Sequence, residues 1–77
     1  MKLYTLFDKL AESAGPVIEC QNDDVAVRNV LKMVENQQMD LGDYTLYCLG
    51  VYDDAIPGIM AYDKGHVIPV QKVVANG

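Results

Sequence analysis

Apolar and polar positions alternate unevenly along this chain, and the breaks in the pattern mark its elements. From Lys2 to Asp8 the run Leu3, Tyr4, Thr5, Leu6 and Phe7 sits between charges and has the composition of a strand. Lys9 to Gly15 reads as a connecting loop, ended by Gly15-Pro16, which stops any helix. Val17 to Cys20 is a second short strand, and a loop of this length suits an antiparallel hairpin. The period then changes. Val27, Val30, Leu31 and Val34 recur at i, i+3, i+4 and i+7, with Ala26 and Met33 widening the stripe. Asn22 is a good N-cap before it, and Asp23 and Asp24 complement the positive end of the helix dipole. Asp24 and Arg28 stand at i, i+4 in the favourable order for an ion pair. The helical pattern fades at Gln37-Gln38, and Asp40 to Asp43 is a loop.

Tyr44 to Tyr52 predicts a third strand without clean alternation, so both of its faces are expected to be covered or tyrosine-lined. Gly50 within it signals a bulge or a close backbone approach. Asp53 to Gly58 is a strong turn signal. Ile59 to Tyr62 predicts a short strand, Asp63-Lys64-Gly65 another turn, and His66 to Val70 a last strand, placed at a sheet edge by Pro69. Val74 to Gly77 is expected to fray. The resulting order, β-β-α-β-β, predicts an α+β fold: a small antiparallel sheet of about four strands with one helix packed on one face. The other sheet face is left for solvent or a partner.

Seventy-seven residues make one domain, spanning 1–77. A chain of this size buries only roughly 60–65% of its unfolded surface, so its core is thin. An open face and free strand edges therefore predict self-association, a dimer first. Six basic against eleven acidic residues leave a net charge of −5. That field opposes DNA and anionic membranes, whose affinity rests on cations. No apolar run reaches the ~18 residues of a membrane span, and the apolar start after Lys2 ends at Asp8, short of a signal-peptide core. A soluble, cytoplasmic protein is expected. Cys20 and Cys48 each lie in an apolar, strand-like run and read as buried reduced thiols.

Candidate chemistry is sparse. No GxSxG, HExxH, phosphate-binding loop or dinucleotide fingerprint occurs, and no CxxC or Cys/His zinc arrangement. Asp53, Asp54 and Asp63 match no EF-hand spacing and are ordinary turn residues. A lone His66 has no nucleophile in a recognised frame. No cofactor is expected, and binding rather than catalysis is the expected mode of action. The candidate contacts are Tyr4, Tyr44, Tyr47 and Tyr52, which would make a stacking platform for single-stranded bases if they shared one open sheet face. Arg28 and Lys32 share the exposed helix face and would form a small basic spot. Against this stand the bland alternatives: tyrosines half-buried in a sheet with a wet hydroxyl, and cations that only solvate a helix. The cations Lys2, Lys9, Arg28, Lys32, Lys64 and Lys72 are scattered along the chain.

The segments Met1 to Asp8, Ala11 to Pro16, Gln21 to Arg28, Asp43 to Gly50 and Val67 to Val70 together carry a resemblance. In order and spacing the chain resembles the small nonstructural protein of gokushoviruses, the single-stranded DNA phages of the Microviridae. The resemblance implies a protein made in the cytoplasm of the infected bacterium, outside the capsid, and associated with viral DNA synthesis or with packaging. It carries no catalytic residues to this chain. The partners it leaves open are a viral or host protein, a second copy of the chain, or single-stranded DNA, the last disfavoured by charge. An acidic inhibitor of a host protein is a further alternative.

Overall fold

The computed structural model describes residues 1–70; the tail expected to fray, Val74 to Gly77, and Lys72 lie outside the described residues. The first strand has the predicted bounds, β1 (Lys2–Asp8), and it runs inside the sheet rather than at its margin. On one side it pairs antiparallel with β4 (Tyr44–Asp53), which in turn pairs with β5 (Gly58–Ile68). On the other side its partner is split in two, β2 (Ser13–Ala14) and β3 (Ile18–Cys20). The α+β expectation holds, with a curled antiparallel sheet and one helix, α1 (Asp23–Asn36).

The split edge is a correction to the predicted loop over Lys9–Gly15, because Ser13 and Ala14 already pair with Asp8 and Phe7. Between Tyr4↔Ile18 and Phe7↔Ala14, the three residues Gly15–Val17 lie opposite two, Thr5 and Leu6. Pro16 has no N–H to give a ladder. The carbonyls stranded by the break are met by a side chain instead. The buried Thr5 hydroxyl donates to the Gly15 carbonyl at 2.9 Å, with that of Pro16 at 3.4 Å, and the Gly15 N–H donates to the Leu6 carbonyl at 3.0 Å.

The helix starts where its cap predicts. Asn22 Oδ1 accepts from the Val25 N–H at 3.0 Å, and Asp23 and Asp24 occupy the first turn. It ends in a Schellman motif. The Met39 N–H donates to Val34 O at 3.0 Å and the Gln38 N–H to Glu35 O at 3.4 Å, with Gln38 in the left-handed region at φ 52°. The expected loop at Asp40–Asp43 is a single 3-10 turn (Leu41–Asp43) capped by Asp40, whose Oδ1 accepts from the Gly42 N–H at 3.0 Å. The predicted Asp24–Arg28 ion pair does not form. Among the described residues the ion pair present is Lys2–Asp23, at 3.5 Å.

Two further corrections fall on β4 and β5. Burial along β4 does alternate, with Leu46, Cys48 and Gly50 buried and their neighbours half-buried. The turn expected at Asp63-Lys64-Gly65 is absorbed into one strand of eleven residues. Cys48 pairs with His66 and Gly50 with Ala61, so the four residues Tyr62–Gly65 face Leu49 alone. The chain spends its turn residues on a wide bulge and stays in the sheet. Leu49 is also the extra residue against β1, between Leu3↔Gly50 and Tyr4↔Cys48. The sheet therefore bends at one place from both sides. Gly50 is required there, since a Cβ on it would overlap the Met60 carbonyl oxygen and stand 3.0 Å from Ala61 Cα.

The core lies between α1 and the face of the sheet that carries Tyr4, Leu46 and Cys48. Its buried members are Tyr4, Cys20, Ala26, Val30, Leu46 and Cys48, with Leu6, Val27, Val34, Tyr62 and Ile68 packed around them. The helix stripe is centred on Ala26 and Val30, one position over from the predicted line, and leaves Val27 and Leu31 half-buried. Each large side chain sealed here stabilises the fold by about 1.5–3 kcal/mol. Both thiols are free and buried, as their apolar surroundings predict. They sit on β3 and β4 with β1 between them. Two strand spacings put them ~9–10 Å apart, beyond the ~7 Å limit for a disulfide.

Candidate partner-binding face

Strand register decides which side chains share a surface, because paired residues point to the same side of a sheet. On the face away from α1, Leu3 pairs with Gly50, Thr5 with Tyr47, and Phe7 with Thr45. Continuing outward, Tyr47 pairs with Val67 and Tyr52 with Ile59. Val67 and Ile59 are each 60% exposed. Phe7 and Tyr47 meet edge-to-face at 6.3 Å between ring centroids. Gly65 lets the Tyr47 ring lie close over the bulge: a Cβ there would come within 3.0 to 3.2 Å of Tyr47 Cδ1, Cβ and Cγ. The ring is thus held on two sides by its own chain, with the remainder facing outward. None of the paired positions of this face is Lys or Arg, and Glu19, opposite Leu3, adds a carboxylate at its margin.

The four tyrosines singled out in the sequence do not form one platform. Tyr47 and Tyr52 lie on the open face. Tyr4 is fully buried on the helix side, where its hydroxyl donates to Asp23 Oδ1 at 2.5 Å. Burial first, then this bond to a carboxylate, pushes its pKa well above the ordinary tyrosine value of about 10. Tyr44 pairs with Asp8, on the helix side by the same alternation. Tyr62 packs against the core and stacks on His66, with ring centroids 4.0 Å apart and planes at 12°. The pair Arg28 and Lys32 is exposed on the outer side of α1, opposite the residues Ala26 and Val30 that meet the sheet. Helix and open face are on opposite sides of the molecule, so this basic spot and Tyr47 cannot serve one short ligand.

Sequence reasoning missed Leu3, Thr5, Phe7, Val67 and Ile59 as members of the face. The two-residue period along Lys2–Asp8 contains the signal: it groups Leu3, Thr5 and Phe7 together and puts Tyr4 with Leu6. Elsewhere, two concavities flank α1. One of about 620 Å³ lies at its C-terminal end, between Leu31, Val34, Met39 and Leu41. The other, about 300 Å³, lies between the helix and β3, lined by Leu6, Pro16, Ile18 and Met33. Among the described residues no three His, Cys, Asp or Glu side chains come together in a way that could hold a metal ion, and no helix is long and apolar enough to cross a membrane.

A family model described as Phage ORF5 protein matches residues 1–74. No curated protein and no solved structure matches the chain.

Proposed function

The chain belongs to the Phage ORF5 protein family, and from that premise we propose that it is a non-catalytic accessory protein of a gokushovirus-like phage, acting in viral DNA synthesis or packaging through protein contacts. Its place of action is the cytoplasm of the infected bacterium, and its partner is a viral or host protein. The observation that carries the reading is the open sheet face. Leu3, Phe7, Tyr47, Tyr52 and Val67 line it, and none of its paired positions is a cation. An aromatic and aliphatic surface with a polar rim is the composition of a protein interface. With a net charge of −5 on the chain, it is a poor surface for a phosphate backbone.

The test is genetic and structural together. A phage whose chain carries Tyr47→Asp and Tyr52→Asp, with the fold verified by circular dichroism of the purified variant, is expected to make or package less viral single-stranded DNA than wild type. Normal yields of both would remove the reading.

Direct binding of single-stranded DNA is a second reading, favoured by the placement of Phe7, Tyr47 and Tyr52 on one face. Aromatic platforms stack bases for about 1–3 kcal/mol each. Titration of a labelled oligonucleotide at low salt separates the two. Saturable binding that Tyr47→Ala weakens selects the second; none at low salt selects the first.

A further inference from the structure

The two edges of this sheet are not alike. On the β2/β3 side the strands are two and three residues long and are broken at Gly15-Pro16, devices that keep an edge from pairing with another chain. On the other side β5 is terminal in the strand order, and among the described residues its backbone makes no hydrogen bond except to β4. Its C-terminal half is blunted by the bulge at Tyr62–Gly65 and by Pro69. Gly58–Tyr62, between Pro57 and the bulge, has no such guard. Ala55 to Tyr62 contains no charged residue. Ile56, Ile59 and Met60 in it are 65%, 60% and 71% exposed. Met60 is not among the described residues that pack against the core and the inner stripe of α1.

We propose that the edge formed by Gly58–Tyr62 of β5 is an isologous interface with a second copy of this chain, joining the two sheets antiparallel about a two-fold axis near Met60. The occupant follows from three features. The segment is uncharged, so two copies meet there without the repulsion that their net charge of −5 imposes elsewhere. It is self-complementary about Met60: Gly58 meets Tyr62 of the second copy, and Ile59 meets Ala61. One free edge per chain, with the other edge guarded, closes at two copies instead of growing into a fibre. Ile59 and Met60 are the large exposed side chains within the paired segment, and with its short paired backbone they make a contact smaller than the roughly 1,200 Å² at which stable specific interfaces begin. The dimer is therefore reversible and concentration-dependent. This assignment is independent of the open-face reading, which a monomer would leave standing.

Two measurements test it. Light scattering on the wild-type chain should give twice 8.5 kDa at high concentration and 8.5 kDa on dilution, while Met60→Lys stays at 8.5 kDa throughout. In an antiparallel pair on a two-fold axis the two Met60 Cα atoms stand roughly 4.5–5.5 Å apart, within disulfide reach. Met60→Cys is therefore expected to form a disulfide-linked dimer under mild oxidation. Lys32→Cys, exposed on the helix, should stay uncrosslinked. The proposal is overturned by a monomer at all concentrations, by Met60→Lys dimerising like wild type, or by Met60→Cys crosslinking no faster than Lys32→Cys.

Discussion

Tyr4 and Asp23 join the middle of the sheet to the first turn of the helix through a single 2.5 Å hydrogen bond, phenol to carboxylate. The same Asp23 oxygen holds Lys2 at 3.5 Å, so one carboxylate ties β1 to α1 twice. The Tyr4 ring is fully buried and its hydroxyl is the one polar tip that must be satisfied. Tyr4→Phe keeps the packing and is expected to lower stability by about 1 kcal/mol, measured as a shift in the denaturant midpoint with unchanged slope.

The same bond sets a pH dependence. Folding raises the Tyr4 pKa, so the folded chain holds this proton more tightly than the unfolded one. The stabilisation is complete below the unfolded tyrosine pKa of about 10 and is lost as pH rises above it. Denaturant midpoints at pH 8 to 11 should fall steeply for the wild-type chain above pH 10 and less steeply for Tyr4→Phe. Equal slopes would remove the assignment.

Gly50 faces the β5 backbone at the bend of the sheet. Its missing side chain is what allows the Met60 carbonyl to approach. Gly50→Ala puts a methyl group against backbone, which cannot rotate away, and is expected to cost about 2–3 kcal/mol. Thermal unfolding followed by circular dichroism measures it. A loss under ~0.5 kcal/mol would mean that the bulge is looser than its register implies.

Gln38 ends the helix with φ 52°, the conformation that glycine takes without strain. Gln38→Gly is expected to stabilise the fold by about 0.5–1 kcal/mol. The gain should appear as a higher melting temperature with the same helical signal. The result would also show that this terminus is stable without a glycine cap.

Cys20 and Cys48 are buried on strands separated by β1. Oxidant is expected to leave both as thiols, and a thiol reagent should label them only as fast as the chain opens. Two equivalents should react at once in denaturant. A native disulfide in the purified chain would contradict the strand order.

Much of the fold follows from short stretches of sequence. The Lys2–Asp8 strand, the Asn22-capped helix, the Asp53–Gly58 turn and the thiols' burial all rest on local propensity and nearest-neighbour chemistry, which a linear reading contains. So do the acidity of the chain and the edge position that Pro69 imposes on the last strand. The tertiary structure alone decided what depends on pairing between distant residues. It put Tyr4 in the core and Tyr47 on the open face, although both sit in similar tyrosine-rich runs, because a strand's side chains change face at every residue and at every bulge. It turned Asp63-Lys64-Gly65 from a turn into a bulge because the ladder with β4 resumes on both sides of it. It also separated Arg28 and Lys32 from the aromatic face by the thickness of the sheet. Local chemistry sets which elements form; register, which no short window of sequence contains, sets which side chains meet.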